Sequence, residues 1–283
     1  MCKWCKAGGL LLLALFVVAV SRPQSQAQGP AFETISIKPA PSGSPRDLRI
    51  RVLPNGDFTV RAAPVSMIIS YAYDLPFLPS QSRARLFEPR PWPGRFDIEA
   101  KASANAVPAG LSASERQDRV RHMVRALLAD RFKLVMRVEQ KTMPVYALTV
   151  AKGGPKFKKS AIAEKECIFD FPISGSCHGF ADGRGHPLTA SAITMDDLAL
   201  YIGNWADLPV VNRTALSGLF ALESDGWRPM RLPPRSAEFP KVPNFDDLPT
   251  IFTVLGKLGL ELNRQDATLP IYTVESMELP AAQ

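Results

Sequence analysis

Met143-Pro144-Val145-Tyr146-Ala147-Leu148-Thr149-Val150 is answered, 126 positions later, by Leu269-Pro270-Ile271-Tyr272-Thr273-Val274. Two further segments recur in the same order. Phe58-Thr59-Val60-Arg61-Ala62, leading to Val65-Ser66-Met67 and Tyr73, is matched by Leu188-Thr189-Ala190-Ser191, leading to Ile193-Thr194-Met195 and Tyr201, with Met67 and Met195 128 apart. Gly94-Arg95-Phe96-Asp97-Ile98-Glu99 is matched by Gly218-Leu219-Phe220-Ala221-Leu222-Glu223 at an offset of 124. Three matches in one order at near-constant spacing predict a duplicated unit.

Within each unit the periodicities alternate. Ser112-Ala113-Ser114-Glu115 has the form of a capping box. It opens a stripe of Val120, Met123, Val124, Leu127 and Leu128 at helical spacing, leaving Arg119, Arg121, His122 and Arg125 for solvent. Phe132 to Met136 and Val145 to Val150 read as paired strands, turning around Gln140-Lys141-Thr142. In the second half, Thr194-x-x-Asp197 starts one helix and Ile251 to Leu258 forms another, with Gly259 as its C-cap. Leu260 to Leu262 and Ile271 to Val274 then form the second strand pair.

The fold class expected is α+β: two related strand–helix–strand–helix–strand–strand units, forming one duplicated domain or two packed subdomains. The first unit spans 28–155 and the second 188–283, with a polar loop over 156–187 and a Pro-rich insertion over 228–249. Proline is abundant, 26 of 283 residues, which argues for many loops and against an all-helical bundle.

The first 27 residues have the three parts of a secretory signal peptide: a basic start with Lys3 and Lys6, an apolar run from Ala7 to Val20, and Ser25-Gln26-Ala27 for cleavage after Ala27. The apolar run is short for a bilayer span, which needs roughly 20 residues. Without this segment, which holds Lys3, Lys6 and Arg22 and no acid, the net charge falls from +7 to +4. So mild an excess, together with export, argues against a nucleic-acid partner. Cys2 and Cys5 leave with the signal. Cys167 and Cys177 remain, ten positions apart in a polar loop, and in an oxidising compartment they read as a disulfide.

The mature start, Phe32-Glu33-Thr34-Ile35-Ser36-Ile37-Lys38-Pro39, resembles the opening of a soil-associated bacterial family of secreted proteins of unknown function. The resemblance continues through Leu127-Leu128-Ala129-Asp130-Arg131-Phe132-Lys133-Leu134, Pro144-Val145-Tyr146-Ala147-Leu148 and Pro209-Val210-Val211-Asn212-Arg213-Thr214-Ala215-Leu216-Ser217-Gly218. It implies export, an α+β domain and occasional fusion to BlaR-type membrane metallopeptidases, and it supplies no catalytic residues. Two departures fall in one turn: Asn212 stands where the family pattern has an acid, and Ala215 where it has glycine.

Chemistry is sparse. The chain has no G-x-S-x-G, S-x-x-K or H-E-x-x-H, and its histidines are His122, His178 and His186. Asp196-Asp197 and Asp246-Asp247 are accounted for by helix starts rather than by a catalytic carboxylate pair. No catalytic residue, metal ligand or cofactor is assigned. The ligand-contact candidates are Trp205 and Trp227, placed in loops, and Lys156, Lys158 and Lys159 of the densest basic run, which also includes Lys152 and Lys165. The expectation is a secreted or periplasmic, non-enzymatic binding or interaction module. Its partner is an envelope ligand or protein, bound at the cleft between halves or on the Pro-rich loops. A cell-envelope hydrolase with an acidic site, and a sensory module acting with a membrane metallopeptidase, are the alternatives.

Overall fold

In a computed structural model of the chain, residues 30–40, 47–76, 85–87, 94–164, 167–171, 177–180, 188–230 and 245–280 are described. The expected signal segment 1–27, His186, Lys165 and most of the Pro-rich insertion lie outside them. The fold is mixed α+β, with four helices and three sheets among the described residues.

Local sequence explains the helices. Ser112 caps helix α2 (Ala113–Arg131): its hydroxyl accepts from the Glu115 N–H, and the Glu115 carboxylate accepts from the Ser112 N–H. Val120, Met123, Val124, Leu127 and Leu128 are all buried, as their spacing requires. Helix α1 (Val65–Ala72), apolar nearly all round, packs beside α2. Thr194 and Asp197 form a second capping box at the start of helix α3 (Met195–Gly203), and Thr250 caps helix α4 (Ile251–Lys257). Gly259 follows α4 at φ +72°, and a Cβ there would stand 1.9 Å from the Gly154 carbonyl oxygen. Glycine is thus required for both conformation and space.

Around α1 and α2 lies an antiparallel sheet of β1 (Phe32–Pro39), β5 (Arg95–Ala102), β3 (Phe58–Pro64), β2 (Arg49–Val52) and β8 (Phe169–Phe171), in that order. A small sheet of β7 (Lys158–Lys159), β11 (Phe220–Leu222) and β9 (Ala190–Ile193) lies on the side of α3 and α4.

The sheet between them corrects the sequence reading. The hairpin expected at Gln140-Lys141-Thr142, and its counterpart between Leu262 and Ile271, do not form. β6 (Val135–Val150) and β12 (Leu260–Ser276) are each one long strand, paired antiparallel from Val135↔Ser276 to Val150↔Leu260. The physical reason is local. Gln140-Lys141-Thr142 offers no glycine or asparagine for the positive φ of a tight turn, so the chain runs on extended and takes its ladder from a distant partner.

The prolines fit because Tyr146 donates its N–H away from the β6–β12 ladder to the Pro209 carbonyl, and Tyr272 donates to that of Arg85. Pro144 and Pro270, two residues back, face the same outward way, so their missing N–H removes no ladder bond. The strands β10 (Val210–Asn212) and β4 (Leu86–Phe87) flank the pair in parallel.

The two long strands exchange ends. One core, under α1 and α2, includes Val274 from the end of β12 and Met277 just beyond it, and packs Tyr272. The other, around α3, α4 and Trp227, includes Leu148 from the end of β6 and packs Tyr146 and Val150. Each core is therefore completed by a strand that begins beside the other. Leu148→Ala is expected to cost about 2–5 kcal/mol. Chemical denaturation followed by tryptophan fluorescence and by circular dichroism should give one coincident transition for it, because the shared strands couple the cores; two separated transitions would refute that coupling.

Candidate functional site

The start of α2, the start of α3 and the segment after Cys177 meet at one cleft. The expected disulfide is present, Cys167–Cys177, with the Cα atoms 5.3 Å apart. It packs with Ala192, Leu219 and Ile162 in a small apolar cluster of its own. Arg116, buried on α2, donates to the Cys167 carbonyl at 3.2 Å. The next residue after Cys177, His178, takes a left-handed backbone (φ +56°) and donates its N–H to the Ala192 carbonyl at 2.7 Å. That conformation is uncommon outside glycine and is tolerated here because the disulfide and the β9 contact hold both sides of it.

This aims the His178 ring at Asp197. His178 Nδ1 and Asp197 Oδ2 are 2.7 Å apart, and the histidine side chain is only 4% exposed. The same oxygen accepts the Thr194 N–H at 2.8 Å and the Thr194 hydroxyl at 2.7 Å. Burial opposes the charge on Asp197, yet the hydrogen bonds from His178 and Thr194 outweigh it and hold the carboxyl below its ordinary value. An ionised carboxylate only accepts, so Nδ1 carries the hydrogen. Nε2 is buried and, among the described residues, has no partner. A buried polar atom with no partner carries a desolvation cost of about 1–3 kcal/mol.

The cleft has a volume of about 410 Å³, and its walls include Asp74, Asp118, Arg121, Glu164, Asp196 and Asp197 together with His178. A second, much smaller cavity, lined by Arg116, Gln117 and Phe169 among others, also has His178 in its wall. Arg121, expected to be solvated, is only 18% exposed; it bonds Asp74 at 2.7 Å and Asp118 at 2.9 Å. The difference arises because the flank of α2 faces the end of α1, where Asp74 sits. Glu164 accepts from the Ser114 N–H at the start of α2.

The turn that holds the two departures leads into this wall at Leu216, Ser217 and Gly218. The Asn212 side-chain oxygen accepts from the Thr214 N–H at 3.0 Å and the Thr214 hydroxyl at 2.8 Å, while its Nδ2 donates to Asp196 at 3.1 Å. A carboxylate at 212 could accept the first two bonds but would repel Asp196. Ala215 sits at φ +57°, where a Cβ is strained.

The residues singled out from sequence fall elsewhere. Trp227 is 1% exposed in the second core, edge-on to Tyr201, so it offers no surface. Trp205 is half-buried against the same core. Lys156 and Lys158 are exposed; Lys159 donates to the Ser217 carbonyl at 2.7 Å and lies over the Phe220 ring. Sequence reasoning missed the pairing of His178 with Asp197. Asp197 was visible as a capping residue and His178 as the neighbour of a half-cystine, but no motif spans the intervening loop.

Two outcomes check this arrangement. A folded-state carboxyl titrating below its ordinary 3.8 gives Asp197 a stabilising contribution that is full above that value and is lost as pH falls through the lower folded value. Denaturation midpoints of the native chain should therefore fall below about pH 4 by a component that Asp197→Asn lacks. Ala215→Gly should raise stability by about 0.5–1 kcal/mol in the same assay, since glycine takes this backbone without strain.

No curated protein and no solved structure matches the chain. One family model does match, over residues 66–277, from the first turn of α1 to the end of the β6–β12 pair and across every wall of the cleft. By that match the chain belongs to the family described as protein of unknown function (DUF3738).

Proposed function

We propose that the protein is an exported, non-enzymatic binding module, secreted or periplasmic, that holds an envelope ligand or partner in the cleft between its two cores. One observation carries this reading. Among the described residues His178 Nε2 is a buried polar atom with no partner, and the His178 side chain lines a cleft whose walls come from both cores. A group so costly to bury is favoured when a ligand completes it. Export is supported by the signal pattern and by the disulfide, which needs an oxidising compartment. Among the described residues, no helix is long and apolar enough to cross a membrane.

The duplication belongs to the same proposal. With the offset of 126 positions, Thr142 and Thr268 are equivalent, and they are partners in the β6–β12 ladder, their hydroxyls 2.9 Å apart. A ladder centred on equivalent residues pairs the two units as a dyad would. The cleft is then an interface site between related halves.

A second reading, an envelope hydrolase, is favoured by one feature: the His178–Asp197 pair has the form of a general base with its orienting carboxylate. Against it, among the described residues no hydroxyl or thiol meets Nε2. The two readings separate by experiment. Nuclear magnetic resonance of the mature chain, titrated with a small-fragment library, should move the His178 ring signals and the amides of 194–197. Fragments binding only elsewhere, or none binding, would overturn the proposal. Turnover of ester or glycan substrates, abolished by His178→Gln, would favour the hydrolase instead.

A further inference from the structure

We infer that the free edge of β6 pairs with the same edge of a second copy of this chain, antiparallel about a two-fold axis at Val138, so that two copies share one continuous sheet. The surface is separate from the cleft.

The edge is open over a defined length. Among the described residues β10 covers the outer side of β6 at 146–148, and no strand covers it from 135 to 144. The β6–β12 register is unbroken from Met136↔Val274 to Val150↔Leu260, so Met136, Val138, Gln140 and Thr142 turn their N–H and C=O groups outward in step with Tyr146. Such a row of unpaired groups is a template for another strand, and edges are ordinarily blunted by charge or by proline. Here the blunting is incomplete. Pro144 closes one end. Among the described residues four large apolar side chains stay exposed, and two of them, Val135 at 48% and Val138 at 50%, lie on this edge. Val138 stands opposite Tyr272, which packs on the first core, so a strand laid beside it extends that apolar surface. The other bare edge, β12 over 263–266, is exposed and polar throughout and offers no such burial.

Register selects a second copy as the occupant. Outward groups meet only where even-numbered positions oppose even-numbered ones, and three two-fold registers overlap most of the edge. Centred on Glu139, that residue opposes itself and Arg137 opposes Lys141, which sets like charges directly across. Centred on Gln140, Met136 opposes Pro144, whose missing N–H costs that pair a bond. Centred on Val138, Val138 meets its own copy and Met136 meets Gln140, each pair exchanging two hydrogen bonds. Arg137 and Glu139 then oppose each other on both sides of the axis, in the closer, non-hydrogen-bonded pairs. Val135 lies against the aliphatic stem of Lys141. The charges on and beside this stretch balance within one copy: Arg137 and Lys141 against Glu139 and Glu275, with Arg137 already bonded to both acids. Self-pairing therefore gathers no net charge, and the two-fold symmetry closes it at a dimer.

Sedimentation equilibrium of the protein exported from an expression host should show a monomer–dimer equilibrium in the micromolar range. Glu139→Arg, which sets like charges across the axis, should weaken the dimer at least about tenfold. Arg137→Glu combined with Glu139→Arg should recover most of it, which a misfolded variant would not do. Oxidised Val138→Cys should give a covalent dimer, since a self-opposed pair has its Cα atoms about 5.5 Å apart, inside the range of a disulfide. Gln140→Cys, and Arg264→Cys on the β12 edge, should not. A chain that stays monomeric throughout, a dimer indifferent to Glu139→Arg or not recovered by the double variant, or covalent dimers from Gln140→Cys in place of Val138→Cys would overturn the inference.

Discussion

The structure depends on one ladder. β6 and β12 pair antiparallel along their whole lengths, and each carries its end into a core begun by the other strand's unit. Neither core is closed without it: one lacks Val274 and Met277, the other Leu148. Apolar burial is the main favourable term in folding, and each core draws part of its buried surface from a strand that it shares with the other, although each has its own helices and its own sheet. The prolines at 144 and 270 mark the outward-facing positions where a missing N–H costs nothing to the ladder.

The same ladder sets the geometry of the cleft. Holding the cores side by side brings the capped starts of α2 and α3 together, and the disulfide segment closes the third wall. Carboxylates gather there partly for the ordinary reason that helix starts favour negative charge. What exceeds that reason is the His178–Asp197 pair, with its left-handed backbone at His178, its buried ring and an Nε2 that has no partner among the described residues. Arg121 shows how the cleft is kept from being uniformly repulsive: it ties Asp74 and Asp118 and lies 5.9 Å from the centre of the Tyr71 ring.

Much of the fold was legible one segment at a time. Ser112 with Glu115, Thr194 with Asp197, and Gly259 declared helix boundaries through side-chain chemistry that acts within a few residues. The buried stripe of α2 followed from its spacing. The disulfide followed from the cysteine count and the presumed compartment. The hairpins failed because an extended run does not say which other run it will pair with; that choice depends on what both strands can bury at their ends. Trp227 was misplaced for a related reason, since its loop folds back over α3 and buries the ring.

The sequence by itself determined the α+β class, the helix starts, the cysteine pair and membership of a family, all of which rest on short-range preferences or on matching residues along the chain. Only the tertiary structure decided that the strands exchange between cores, and that His178, one residue past a half-cystine, meets Asp197 in the first turn of a helix. Those pairings are made between residues distant in sequence. Their free energy comes from burial and from hydrogen bonds in a low-dielectric cleft, which exist only once the cores have closed.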